Sequence, residues 1–168
     1  MLCEEFDATR LSLDNYFFLD PPYKKYEARD KNLELPENVD WDACRDDLAH
    51  LKEGKITHVR IIDWDRNTFF TEALEPKSLI VVEGFLLLQD RALCDLLDLS
   101  VYVDVPDGVG IERRIERDNN HEHETWYREI TFPEYAPRRE VFASRADLVL
   151  NGEDSLEENL EKIKECLR

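Results

Sequence analysis

"SLIVVEGFLLLQD", residues 78–90, decides how the chain is read. Leu79, Ile80, Val81 and Val82 form an apolar run that meets an acid, Glu83, and then Gly84. A short continuous run rich in β-branched residues, closed by a glycine, predicts a fully buried strand of a parallel sheet. An acid at the end of such a strand needs a partner, because an unpaired carboxylate is costly away from water.

Outward from that strand the chain alternates. "ATRLSL" (8–13) predicts a short strand, and residues 13–38 a long loop with two adjacent prolines. Loops of that length are commonly functional or disordered. Asp40 caps a predicted helix whose Trp41, Cys44, Leu48 and Leu51 share one face, with Gly54 as its stop. "THVRIIDW" reads as an edge strand, Arg91 to Leu97 as a short helix, and "LSVYVDV" as a strand closed by Pro106. Ile111 to Asp118 reads as a basic helix, 119–145 as mixed and partly helical, and "ADLVLNG" as a last strand. Ser155 and Glu158 make a capping box ahead of a helix with an apolar stripe of Leu156, Leu160, Ile163 and Leu167. Apolar strands spaced by helices predict an α/β fold, a parallel sheet covered on both faces, in a single domain over 1–168.

The 168 residues carry a net charge of -17. Such a surface repels phosphate backbones and argues against nucleic acid as a partner. No apolar run approaches the roughly 18 residues of a membrane span. The N-terminal residues show neither a basic flank nor a signal-peptide core. Cys3, Cys44, Cys94 and Cys166 are widely spaced and form no C-x-x-C pair, so they are expected to be reduced, buried thiols of a cytoplasmic protein.

Ligands of open α/β sheets bind beyond the carboxyl ends of the strands. Asp14 follows the first strand, Glu83 ends the strongest one, and Arg113, Arg114 and Arg117 follow "VYVDV". Two acids and three arginines suit phosphoryl transfer: one acid accepts a hydroxyl proton, the other holds magnesium, and the arginines neutralise the moving charge. Each also has an ordinary reading. An Asp after a strand serves turns and caps, and an arginine-rich helix serves as a solvated face. His121 and His123 lack the H-E-x-x-H spacing and have no cysteine nearby, which argues against zinc.

The chain resembles the uridine kinase and nicotinamide riboside kinase group of P-loop kinases. The matching pieces are "LSLDNYF", "ENVDWDACRDDL", "LIVVEGFLLL", "VYVDVP…ERRIERD", "ITFPEYAPRR" and "ADLVLNGEDSLEENL", in the group's order. The resemblance implies a three-layer P-loop kinase-like fold and transfer of a phosphoryl group from ATP, with Mg2+, to the 5′-hydroxyl of a ribonucleoside. It places Asp14 as the acid that activates that hydroxyl and Glu83 as the magnesium-associated acid. It places Trp41 on the base and Asp42 on the ribose hydroxyls, extends substrate contact to Tyr16 and Phe17, and puts Arg113, Arg114 and Arg117 on a lid of about residues 111–128. Core packing on the helix stripe remains an equal reading of Trp41. "VEGFLLL" and "LNGEDSLEENL" lean toward nicotinamide riboside, the route to nicotinamide mononucleotide and NAD. Uridine kinases resemble one another in a Tyr-Asp pair followed by a His, where this chain has "RIIDWDRNTFF", with Ile62 for the Tyr and no His. Uridine or cytidine is the alternative substrate.

The group's phosphate-binding loop, G-x-x-x-x-G-K-S/T, does not occur in these residues. The Gly54-Lys55 pair is followed by Ile56 and reads as a helix stop. The motif is expected ahead of residue 1, with a strand and most of a helix, on the order of 25–30 residues. The fold is then expected to lack its central strand between "LIVVE" and "LSVYVDV". The chain would be marginally stable, or would pair those two strands directly. Three origins stay open: an incomplete fragment, a shortened isoform, or a relative that binds without catalysing.

Overall fold

The structure, a computed structural model, describes residues 2–19, 33–118 and 123–168. Residues 20–32 of the expected loop, and 119–122 of the expected lid with His121, lie outside the described residues. Contacts divide the chain into two compact units, residues 1–96 and 97–168.

The first unit runs α1 (Leu2–Glu5), β1 (Thr9–Ser12), a 3-10 turn (Leu13–Tyr16), a second 3-10 turn (Pro36–Asn38), α2 (Trp41–Lys52), β2 (Thr57–Asp63), β3 (Thr68–Leu74), β4 (Ile80–Glu83), a third 3-10 turn (Leu87–Gln89) and α3 (Arg91–Cys94). Asp40 caps α2 as expected, its Oδ1 accepting from the Ala43 amide at 3.1 Å, and Gly54 ends the helix with φ +77°. Cys44, Leu48 and Leu51 are buried on one face of α2, and Trp41 is half-buried. β1 and β4 pair in parallel, from Thr9 opposite Ile80 to Ser12 opposite Glu83.

β2 is not a lone edge strand. It forms an antiparallel hairpin with β3, from Thr57 opposite Leu74 to Asp63 opposite Thr68. The turn is set by Asn67 at φ 55°, a conformation Asn tolerates, and by the Arg66 amide donating to Asp63 Oδ1 at 2.9 Å. The return strand lacks a period of two. Phe69 and Phe70 are adjacent and about half exposed, at 49% and 50%, so no buried face signals it.

The second unit runs β5 (Val101–Asp104), α4 (Asp107–Asp118), α5 (Glu124–Trp126), a π turn (Tyr127–Thr131), α6 (Phe132–Tyr135), a 3-10 turn (Ala136–Arg138), α7 (Arg139–Arg145), β6 (Leu148–Asn151) and α8 (Leu156–Cys166). β5 and β6 pair in parallel, Val101 opposite Leu148 and Asp104 opposite Asn151. Ile111, Ile115 and Tyr127 form a core, with Trp126 and Phe132 against it. The basic helix begins at Asp107, four residues earlier than expected, directly after Pro106.

The α/β class with parallel pairing is as expected; the covering of the strands is not. Among the described residues the sheets are three separate two-stranded ladders, β1–β4, β2–β3 and β5–β6. All four residues of β4 are only half-buried, and Val103 and Val149 are each 49% exposed. A two-stranded ladder has an open edge on each side, which prevents the burial that its apolar sequence suits. The stripe on α8 is likewise uncovered at its ends, Leu156 being 62% exposed, although the capping box forms as expected. The four cysteines are free, but Cys166 is exposed, and Cys3 and Cys94 are only half-buried.

Candidate functional site

The parallel register puts the carboxyl ends of β1 and β4 side by side, Ser12 opposite Glu83. Beyond β1 the chain turns into the 3-10 segment that carries Asp14. Beyond β4 it turns at Gly84, against Leu13. A cavity of about 650 Å³ opens here between β1 and the β2–β3 hairpin, a size that suits a small-molecule ligand. Asp14 lines it with Arg10, Ser12 and Asn15 from its own side, and Ile62, Trp64, Glu72 and Glu75 from the hairpin side. Arg10 and Ser12 share a strand face, so the spacing of two brings both to the cavity.

The Asp14 turn is anchored on two sides. Toward α2, the Asp40 amide donates to Tyr16 O at 2.8 Å and the Phe18 amide to Asn38 O at 2.9 Å. Tyr16 Oη donates to Asp47 Oδ2 at 2.7 Å, and Thr57 Oγ1 donates to Asp47 Oδ1 at 2.8 Å. Burial, then the Asp47 carboxylate, pushes the Tyr16 phenol above its ordinary value. Toward the hairpin, the Ile62 amide donates to Asn15 Oδ1 at 3.0 Å, and the Arg60 guanidinium donates to main-chain oxygens of the same segment.

The other expected site residues of the first unit do not line this cavity. Tyr16 and Phe17 are buried, at 5% and 2% exposure. Tyr16 is committed to Asp47, and Phe17 packs on Phe85 with ring centroids 6.3 Å apart. Their geometry is that of core residues, and direct substrate contact does not follow from it. Trp41 donates its indole N–H to Pro36 O at 2.8 Å, which fastens the ring to the chain just before α2. Asp42 is 89% exposed and pairs with Arg45, while Arg45 reaches Asp90 Oδ2 at 2.7 Å. In the second unit, Arg113 donates to Gly152 O at 2.8 Å, Arg114 lies 4.9 Å over the Tyr127 ring, and Arg117 is exposed.

Glu83 faces Arg10. Its Oε1 accepts from Arg10 Nη2 at 2.7 Å and Nε at 3.2 Å, and the pairing raises the Arg10 pKa above its ordinary value. No cluster of three or more His, Cys, Asp or Glu side chains able to hold an ion occurs among the described residues. Magnesium at nucleotide sites is commonly held by one or two carboxylates together with substrate phosphates and waters, so Glu83 needs no such cluster to take part, and its association with Mg2+ stays a proposal.

Asp14 is legible in the sequence as the acid after the first strand; the far wall of the cavity it lines is not. Trp64, Glu72 and Glu75 belong to a hairpin whose second strand carries no periodic signal. The usable clue was the acidic, aromatic turn "DWDRN" (63–67) after a β-branched run.

The sequence model of the phosphoribulokinase/uridine kinase family matches residues 5–128. A uridine kinase of Halobacterium salinarum is 35% identical over 115 residues, 66% of this chain and 50% of the relative. A uridine kinase of Streptococcus agalactiae is 30% identical over 151 residues, 84% of this chain and 72% of the relative. The chain thus spans between half and about three quarters of the length of these relatives. Among solved structures, a putative fructose transport system kinase from a Silicibacter species covers 88% of this chain and 77% of its own, at a TM-score of 0.59 and 18% identity. A possible uridine kinase from Bacillus stearothermophilus covers 89% and 76%, at 0.50 and 19%. At that identity the likeness is one of fold.

Proposed function

Because this chain belongs to the phosphoribulokinase/uridine kinase family, we propose that it binds a ribonucleoside and forms the acceptor side of an ATP-dependent nucleoside kinase. The observation that carries the reading is Asp14, held at the carboxyl end of β1 on the wall of a cavity of about 650 Å³. In the reaction the nucleoside 5′-oxygen attacks the γ-phosphorus of ATP, the bond to the bridging oxygen breaks, and ADP leaves. Asp14 accepts the hydroxyl proton as the new P–O bond forms. Asp42 contacting the ribose diol, Trp41 near the base, and Arg113, Arg114 and Arg117 neutralising phosphate charge belong to the same proposal.

Uridine is the substrate that the relatives' names suggest. One observation favours nicotinamide riboside. The hairpin wall offers an indole, Trp64, and two carboxylates, Glu72 and Glu75, and the nicotinamide base of that riboside is a cation. A cation beside an aromatic face and carboxylates is stabilised, where neutral uracil gains less.

Calorimetric titration of the 168-residue chain with uridine and with nicotinamide riboside tests the reading. Saturable binding of either, weakened about tenfold or more in Asp14→Asn, supports it. Saturable binding that Asp14→Asn leaves unchanged sinks the assignment of Asp14.

A further inference from the structure

We propose that Arg60 is a positioning residue for Asp14, setting where its carboxylate stands on the cavity wall. The inference rests on the nucleoside-kinase reading above for what Asp14 does. Arg60 lies in the middle of β2, half-buried. Its Nη2 donates to Phe17 O at 2.7 Å and Asn15 O at 3.3 Å, and its Nη1 to Leu19 O at 3.2 Å. These are alternate carbonyls of the chain leaving the Asp14 turn, beginning at the residue next to Asp14. Two residues along the same strand, the Ile62 amide donates to Asn15 Oδ1 at 3.0 Å. Asn15 is thus gripped through both its main chain and its side chain by one strand.

The chemistry of the grip is specific to arginine. A planar fork offers donors in fixed directions and stays charged, where lysine offers one compact point of attachment. The guanidinium carbon also stands 5.9 Å from the centroid of the Phe69 ring on β3. Among the described residues the partners of Arg60 are carbonyl oxygens and that ring, with no carboxylate. Charge-assisted bonds to neutral carbonyls are stronger than amide bonds to the same atoms. The wall carrying Ile62 and Trp64 and the wall carrying Asp14 both line the cavity, so loss of the fork lets the carboxylate drift relative to the opposite wall. Displacements near 1 Å suffice to spoil a reacting geometry.

The test compares uridine and nicotinamide riboside with their 5′-deoxy analogues, by calorimetry on the full chain. The ratio of the two affinities reads the contact between Asp14 and the 5′-hydroxyl. In the wild type the hydroxyl compound binds about tenfold tighter or more. Arg60→Ala brings the ratio close to one while affinity for the deoxy compound stays within about threefold, and Arg60→Lys restores part of the ratio. A purely structural role lowers both affinities alike, so an unchanged ratio in Arg60→Ala overturns the proposal. Hydrogen exchange of amides 15–19 is measured on the same samples without ligand. If the wild type binds no riboside, the nucleoside reading fails, and exchange alone decides on Arg60. Faster exchange at 15–19 in Arg60→Ala, with α2 unchanged, upholds the positioning; no change there overturns it.

Discussion

Gly84 and Leu13 meet without room for a side chain between them: a methyl group built on Gly84 overlaps the Leu13 Cβ. Leu13 is fully buried, at 0% exposure, and directly precedes Asp14. The glycine after β4 therefore sets how closely the Asp14 turn approaches that strand end. Gly84→Ala is expected to cost about 1–3 kcal/mol by overpacking and to weaken riboside binding by moving the turn. Gly108 on α4 is the contrast, since a Cβ there meets nothing within 4 Å. Gly108→Ala should be neutral or stabilising by up to about 1 kcal/mol. Urea unfolding of both variants checks the pair, and equal effects would contradict the packing account.

Stability should fall on the alkaline side. Burial pushes the Cys44 thiol up from its ordinary value to about 12, and it pushes the Tyr16 and Tyr135 phenols up as well. Below the unfolded-state values both folded and unfolded chains hold these protons, and the contribution to stability is whole. Above about pH 9 the unfolded thiol ionises first, and above about pH 10 the unfolded phenols follow, while the folded groups stay protonated. The melting temperature should thus decline from about pH 9 upward. Cys44→Ala should delay the onset toward pH 10. A decline that begins at the same pH in both proteins contradicts the assignment to Cys44.

Trp64 should discriminate between bases. If its indole meets a cationic ring, Trp64→Ala lowers affinity for nicotinamide riboside about 3- to 10-fold more than for uridine, the range of an exposed to partly desolvated cation–π contact. Fluorescence titration of the two compounds gives the numbers. Equal losses would remove the preference for a charged base.

The sequence made the strand ends legible because their chemistry is local. An apolar run ending in Glu83-Gly84, a strand leading to Asp14, an Asp40 cap and a Ser155–Glu158 box each signal themselves within a few residues, and each forms. The covering of β4 was not legible, since a run such as Leu79–Val82 has the same composition in a buried sheet as in a two-stranded ladder. The far wall of the cavity was hidden for a related reason. Phe69 and Phe70 are half exposed, so β3 carries no alternation to read. The Arg10–Glu83 pair links residues 73 positions apart, which only the parallel register of β1 and β4 brings together. Tyr16 and Phe17 resembled substrate contacts in sequence, yet the turn that presents Asp14 sends both into the core.

Phosphoryl transfer by these 168 residues alone is expected to be negligible. Each of the five glycines has another setting: Gly54 ends α2, Gly84 faces Leu13, Gly108 and Gly110 lie in α4, and Gly152 follows β6. A glycine-rich cradle with its lysine contributes orders of magnitude to such reactions. A coupled assay of ADP release with uridine, cytidine and nicotinamide riboside checks this. Turnover on the order of 1 per second or faster, ordinary for kinases, would contradict it.

The most direct test of the account is where a ribonucleoside touches the chain. Backbone and indole resonances are followed by NMR while uridine or nicotinamide riboside is titrated into the 168-residue chain. The account predicts saturable shifts concentrated at Ser12 to Asn15 and at Ile61 to Trp64, on the two walls of the Asp14 cavity. Saturable shifts that leave both of these walls unmoved, or none up to millimolar ligand, would contradict the claim that this cavity is the nucleoside site.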